Sequence, residues 1–251
     1  MEHSRNPKAT LWLFAYQGLT AATHMSIVQE LMTWPNLSHH VKAGDADIGK
    51  ARSRTASWFL AEPESEAGSV LLMVDSDTAW QAGDLSMIAR RALEHTAVVG
   101  GIYSKREFGQ GDAFRVADEA DGVFVIGEDS LIPAAAVGGG FMAIPRSILE
   151  AVAKTLPTVK DDFVPCFMPF VTSDMEYATE DWAFCFRARE AGFKVFASTY
   201  PKLTHEGTYT YRLVDGRARP PQDRTVTFNF DAEARAAQIN GTQPKEPVHA
   251  A

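Results

Sequence analysis

The chain has 251 residues, enough for one α/β domain with insertions and a sizeable buried core. Hydrophobic residues make up 45% and charged residues 22%, which excludes a disordered chain as the default reading. The 24 basic residues are outnumbered by 32 acidic ones, giving a net charge of −8 with no basic cluster, so nucleic acid is a poor candidate partner.

Residues 1–9 read as a polar tail without an apolar signal core. No apolar run approaches the length of a membrane span, which points to a cytoplasmic protein with no membrane partner. Leu11 to Tyr16 is a short apolar run and reads as a first buried strand. Thr23 to Met32 has helical spacing, with Met25, Val28, Leu31 and Met32 expected on the packed side and Pro35 ending the helix. Leu37 to Val41 reads as a second strand. Ile48 to Leu60 reads as a second helix that packs through Ala51, Thr55, Ala56 and Phe59. Glu62 to Gly68 is expected to be a surface connection. Val70 to Val74 is apolar throughout, as a strand covered on both faces must be, and it stops abruptly at Asp75. Gly83 to His95 then reads as a helix and Ala97 to Tyr103 as a strand.

That alternation predicts a parallel, doubly wound sheet, whose ligands sit at the carboxyl ends of its strands. Beyond it the pattern is less regular. Phe114 to Val116 and Gly122 to Ile126 are expected to pair as a hairpin. Three glycines, Gly138 to Gly140, precede the apolar stretch Phe141 to Ile144, and Pro145 opens a helix near Ser147 to Lys154. Thr155 to Tyr177 reads mostly as loop. Asp181 to Ala191 reads as a helix closed by Gly192, Val195 to Ala197 as a short strand, and Ala232 to Ile239 as a small helix before a frayed tail. The domain expected from this is one unit over 10–230, with halves at about 10–105 and 106–230, followed by a helix and tail over 231–251. Cys166 and Cys185 form no CxxC pair and read as two buried free thiols.

Five groups of residues suggest chemistry. Asp75 and Asp77 stand two apart at the end of a buried strand, a spacing that turns both to one side of an extended chain. Carboxylates so placed repel unless a cation is near, and Mg²⁺ or Mn²⁺ takes carboxylate oxygens and completes its shell from phosphate. Glu180 and Asp181 begin a helix, where the dipole alone favours acids, but where one could also serve as a general base. His205 follows the last strand and offers an imidazole as a third ligand. Arg52 and Arg54 are about 200° apart on their helix, so only one can face a given ligand; either could be solvated surface charge. Gly139 and Gly140 permit close backbone approach, but no Walker loop or GxGxxG pattern surrounds them.

Taken in order, Ala51-Arg52-Ser53-Arg54, Val74-Asp75-Ser76-Asp77, Gly139-Gly140-Phe141-Met142, Thr179-Glu180-Asp181-Trp182 and His205-Glu206-Gly207 resemble the GT-A superfamily of glycosyltransferases, the family 2-like group in particular. The likeness spans roughly residues 10 to 210. It implies a GT-A (Rossmann-like) α/β fold, a mixed, mainly parallel sheet flanked by helices. It implies transfer of a sugar from a nucleotide-diphosphate sugar, a UDP- or GDP-sugar, to an acceptor hydroxyl, with Mn²⁺ or Mg²⁺ as cofactor. By the same likeness Asp75, Ser76 and Asp77 hold the nucleotide-sugar, and Asp75, Asp77 and His205 hold the metal. Arg52 contacts the nucleotide, Tyr16 and Gln17 meet the nucleobase, and Gly139 and Gly140 shape the sugar pocket. Asp181 is the base, assisted by Glu180. Tyr16-Gln17 departs from the Pro-containing opening usual in family 2. The acceptor, the stereochemistry and the oligomeric state stay open. Two rivals stand beside this reading: a sugar-phosphate nucleotidyltransferase, against which Gln17-Gly18-Leu19-Thr20 lacks basic residues, and a non-catalytic nucleotide-sugar or carbohydrate-binding module.

Overall fold

Val70–Asp75 is the strand around which the molecule is built, with its first five residues buried and only Asp75 reaching a partly exposed position. A computed structural model describes residues 6–16, 18–104, 114–116, 127–160, 162–207 and 210–212. In chain order the first half comprises β1 (Ala9–Ala15), α1 (Ala21–Thr33), β2 (Leu37–Ala43), α2 (Ile48–Ala61), α3 (Glu64–Ala67), β3 (Val70–Asp75), β4 (Thr78–Ala79), α4 (Asp84–His95) and β5 (Ala97–Gly101). The second half comprises β6 (Phe114–Val116), β7 (Leu131–Val137), β8 (Phe141–Pro145), α5 (Arg146–Lys154), β9 (Phe170–Val171), β10 (Tyr177–Ala178), α6 (Glu180–Glu190), β11 (Lys194–Ser198), β12 (Thr204–Glu206) and β13 (Thr210–Arg212).

Eight strands form one sheet in the order β2-β1-β3-β8-β5-β11-β7-β6. The pairs β1–β2, β1–β3 and β5–β11 are parallel, whereas β8 and β7 run antiparallel to their neighbours, so six strands share one direction. The sheet is therefore the mixed, mainly parallel, helix-flanked one expected, but not doubly wound throughout. β8 enters antiparallel between β3 and β5 and carries the glycine segment to the end of β3. Two buried clusters cover the two faces. Leu71 and Met73 pack with Phe59, Phe184 and Val195 on one side, and Leu72 and Val74 with Leu85, Ile88 and Leu203 on the other. Each such side chain removed from water contributes about 1.5–3 kcal/mol before chain entropy is counted.

The structure departs from or adds to these expectations at three points. α1 does not pack through Met25 and Met32, which are exposed; it buries Thr23, Ser26, Ile27 and Glu30. The cause is hydrogen bonding. Thr23 donates to the Thr78 carbonyl (3.0 Å), Ser26 donates to the Trp80 carbonyl (2.7 Å), and Glu30 accepts from the Gly83 and Ser86 amides and the Trp80 indole. β6 pairs with β7, a strand not expected from the sequence; the hairpin expected between 114–116 and 122–126 falls on residues outside the described ones. The connection over 62–68 contains the single turn α3. The expected helix over 232–239 and the tail also lie outside the described residues. Both cysteines are free and buried, as expected. Among the described residues no helix is long and apolar enough to cross a membrane.

Candidate functional site

The parallel strands β1 and β3 end side by side, with Phe14 opposite Asp75. The chain then turns at Ser76–Asp77, where the Ser76 amide donates to the Phe14 carbonyl (3.1 Å) and the Thr20 amide to the Ser76 carbonyl (2.9 Å). β4 follows at once and joins a separate three-stranded sheet, β13-β12-β4. In it Thr78 lies opposite His205, and the Glu206 amide donates to the Asp77 carbonyl (2.7 Å). Asp75 is thus the last residue of β3 and Asp77 stands on the turn between two sheets, rather than both lying on one extended strand. They meet different partners, although both line one cavity of about 550 Å³. That volume is ordinary for a small-molecule site.

Asp75 is held by Arg52. The Arg52 guanidinium donates through Nη2 to Asp75 Oδ1 (2.6 Å) and through Nη1 to Glu180 Oε1 (2.9 Å), with only 2% of the side chain exposed. Burial works against the charged guanidinium, but Asp75 and Glu180, with Asp181, outweigh it and hold it protonated above its usual range. Arg52 is therefore neither solvated nor in the cavity wall. It cross-links α2, the end of β3 and the start of α6. Arg54, on the other side of α2, lies over the Phe163 ring.

Gly139 and Gly140 make this packing possible. A Cβ on Gly139 would run into the Arg52 guanidinium, and one on Gly140 would sit 2.7 Å from the Tyr103 hydroxyl and 3.0 Å from Asp75 Oδ2. Their amides point onward: Gly139 donates to Asp181 Oδ2 (3.0 Å) and Gly140 to the Tyr103 hydroxyl (3.0 Å). Two consecutive residues therefore back onto Asp75 and reach Asp181.

Asp181 and Glu180 lie in the first turn of α6, where the helix dipole favours negative charge. Asp181 Oδ1 accepts from the Thr179 hydroxyl (2.6 Å) and the Trp182 amide (2.8 Å). With Gly139 on Oδ2, the carboxylate is fixed in orientation and keeps acceptor capacity on Oδ2. Burial raises the Glu180 carboxyl above its ordinary range against the pull of Arg52, and the neighbouring Asp181 and Asp75 add to the rise.

Asp77 faces His205, with Oδ1 3.4 Å from Nε2. His205 Nδ1 lies 3.1 Å from the Ser104 carbonyl oxygen, which can only accept, so Nδ1 carries the proton of that contact. In the neutral ring Nε2 then presents a lone pair to a carboxylate, an arrangement that calls for a proton or a cation between them. Tyr103 packs edge-on against this imidazole.

Of the other expected site residues, Ser76 and Tyr16 line the cavity, and Tyr16 is 64% exposed. Gln17 lies outside the described residues. Three polar wall residues escape the sequence reading: Tyr103, Lys42 and Asp45, the last two paired at 3.7 Å. Tyr103 had a usable signal, because it follows an expected strand of the same sheet as β3, and ligands of such a sheet sit at the carboxyl ends of its strands. Lys42 and Asp45 had none, because a charged pair in a turn looks like surface.

The fold and the site together define an α/β protein with a mixed, mainly parallel, helix-flanked sheet and acidic residues gathered at its strand ends. No protein-family model and no curated protein matches the chain. Solved structures do. The chain is similar to A197 from STIV, with a TM-score of 0.54 and 18% identity, covering 88% of this chain and 94% of that one. It is also similar to GalNAc-T7 with UDP, GalNAc and Mn²⁺ (TM-score 0.45, 12% identity), covering 80% of this chain but only 44% of that protein. A further likeness is to a Bacillus anthracis protein assigned as a glucose-1-phosphate thymidylyltransferase, in complex with sucrose (TM-score 0.42, 9% identity), covering 78% of this chain and 89% of that one. The likeness to A197 from STIV extends to the fold alone, and the other two are more distant still.

Proposed function

We propose that this chain is a glycosyltransferase that moves a sugar from a nucleotide-diphosphate sugar to an acceptor hydroxyl with Mn²⁺ or Mg²⁺. The observation that carries the reading is the Asp77–His205 pair in the wall of a cavity that also exposes Tyr16 and Asp75. Among the described residues no three His, Cys, Asp or Glu side chains form a ready-made metal cage. The donor set nevertheless fits a cation that is delivered with its nucleotide. Such an ion keeps waters and phosphate oxygens as ligands and asks for only one or two protein groups. Asp77 and His205 would hold it, one carboxylate oxygen and one imidazole nitrogen being a suitable pair for Mn²⁺. When bound, the ion supplies charge neutralisation for a departing diphosphate.

The chain's own residues do the rest. Tyr16 offers a ring face for a base to stack on. Arg52 keeps the Asp75 carboxylate aimed at the cavity from behind. Asp181, held by three hydrogen bonds, takes the proton from the acceptor hydroxyl, and Glu180 adds negative charge beside it. The test is release of nucleoside diphosphate from a panel of UDP-, GDP- and dTDP-sugars with Mn²⁺. Turnover should disappear in Asp181→Asn while UDP or GDP still binds. If no nucleotide of the panel binds in the presence of metal, the reading fails.

A further inference from the structure

A second cavity, of about 190 Å³, opens between α6, β7 and the β9–β10 hairpin. Along α6 it is lined by Trp182, Phe186 and Arg189, spaced four and three residues apart and so presented as one stripe. The hairpin supplies Tyr177, with Asp174 and Glu176 on its turn, while β7 contributes only alanine side chains. Tyr177 is 65% exposed and Phe186 37%, which is unusual for rings gathered around one hollow. The Phe186 ring is braced from behind by Phe170, edge-on at 5.8 Å, and Phe170 is itself covered by the Arg187 guanidinium.

This combination selects among ligands. A wholly apolar ligand would strip water from Asp174, Glu176 and Arg189 without returning hydrogen bonds. An anion would meet two carboxylates against one guanidinium. A saccharide ring suits both parts, because its C–H face packs on aromatic surface while its hydroxyls donate to carboxylates and accept from a guanidinium. The volume is small, as one or two sugar rings require. We propose that this second cavity binds a saccharide, and that the saccharide is the acceptor.

Position gives the second half of that statement, which rests on the glycosyltransferase reading above. Ala178 and Trp182 line the cavity, and between them in sequence stand Thr179, Glu180 and Asp181. The Trp182 amide itself donates to Asp181 Oδ1 (2.8 Å). A sugar seated on Trp182 and Tyr177 is therefore one residue along the chain from the carboxylate assigned as base; that carboxylate accepts from the Gly139 amide, and the next residue, Gly140, backs onto Asp75 and Tyr103 in the wall of the first cavity.

The experiment is saturation-transfer NMR on the full chain with the methyl glycosides of glucose, galactose, mannose and N-acetylglucosamine, together with cellobiose and lactose. At least one should receive saturation, strongest at its ring C–H protons. Tyr177→Ala and Phe186→Ala, both at exposed positions, should weaken that ligand about tenfold, while Tyr177→Phe keeps it. No saturation from any probe, or saturation undiminished in both alanine variants, overturns the proposal. Calorimetry of UDP and GDP with Mn²⁺ on the same samples separates the two readings. Nucleotide binding without saccharide binding sinks this inference alone. Saccharide binding without nucleotide binding sinks the donor reading and the acceptor role, and leaves the saccharide site standing.

Discussion

Arg52 and Gly139 are packed so closely that a single added methyl on the glycine would occupy the space of the Arg52 Nη1 atom. The guanidinium has nowhere to retreat, because Asp75 and Glu180 hold it at 2.6 and 2.9 Å and Phe14 lies against its face. Where the chain needs a cation to bind two distant acids, it has removed the side chain opposite.

Gly139→Ala should therefore be among the most damaging small substitutions in the protein. Overpacking usually costs about 1–3 kcal/mol, and here the clash also loosens two buried ion pairs. Denaturant unfolding should place the loss at the upper end of that range or beyond. Nucleotide binding should weaken with it as Asp75 is released. A Gly139→Ala protein as stable as the parent would show that the guanidinium is not confined.

Arg52→Met removes the charge and keeps much of the bulk. Asp75 and Glu180 then stand uncompensated beside Asp181, and breaking such a pair costs about 3–5 kcal/mol. Because burial already raises the Glu180 carboxyl, losing the guanidinium must raise it further. The native form of the variant then holds a proton that the unfolded chain releases, so its stability should recover as pH falls from 7.5 to 5. Glu180→Gln placed on top of Arg52→Met should restore part of the loss at pH 7.5. Denaturant midpoints at the two pH values for the single and double variants measure both effects.

What the sequence could show of all this follows from what periodicity encodes. Val70 to Asp75 was legible because five apolar residues ending on an acid can hardly be anything but a buried strand running to a sheet edge. Asp75, Asp77, Glu180 and His205 could be listed, since their residue types advertise chemistry. Arg52 could be listed too, but not its partners. A helical wheel places it on a face, whereas its burial depends on Glu180, from a distant part of the chain, and on the bare Gly139 backbone. α1 was misread at Met25 and Met32 for the same reason, although Leu31 does pack on the core. Thr23, Ser26 and Glu30 are polar, so an apolar count ignores them, yet they hold the segment after Asp77 in place. β7 escaped because Pro133 and three alanines carry little strand propensity, and its pairing is imposed by β11 and β6.

That anchoring segment carries a pH signature of its own. Burial pushes the Asp84 carboxyl up from its ordinary 3.8 to about 6, only partly opposed by hydrogen bonds from the Gln81 and Lys202 amides. The folded state therefore binds this proton more tightly than the unfolded chain. The stabilisation is fully present below about pH 4 and is lost as pH rises through about 6. Two pKa units correspond to roughly 3 kcal/mol as an upper bound, and Glu30, raised by burial in the same place, acts in the same direction. Asp84→Asn should flatten the decline in stability between pH 5 and 7 seen by denaturant titration. An unchanged slope would mean that Asp84 keeps its ordinary pKa.

The metal assignment makes the last prediction. Asp77→Asn keeps the shape of the turn and removes a charge, while His205→Ala removes the nitrogen that faces it. If the pair exists to take a cation with a nucleotide, the parent protein should melt higher when UDP or GDP and Mn²⁺ are added together, and less so with either alone. Ligand at a hundred times its dissociation constant stabilises by about 2.7 kcal/mol, a shift easily seen in a melting curve. Both variants should lose that joint shift, and neither should lose a shift caused by nucleotide without metal. The ligand-free proteins should respond differently. Relief of the carboxylate facing Nε2 should leave Asp77→Asn as stable as the parent or slightly more so, because a neutral amide can donate to the imidazole lone pair. If Asp77→Asn is instead strongly destabilised and retains the joint shift, the pair is a structural bridge between β4 and β12, and the cation must be sought elsewhere in the cavity.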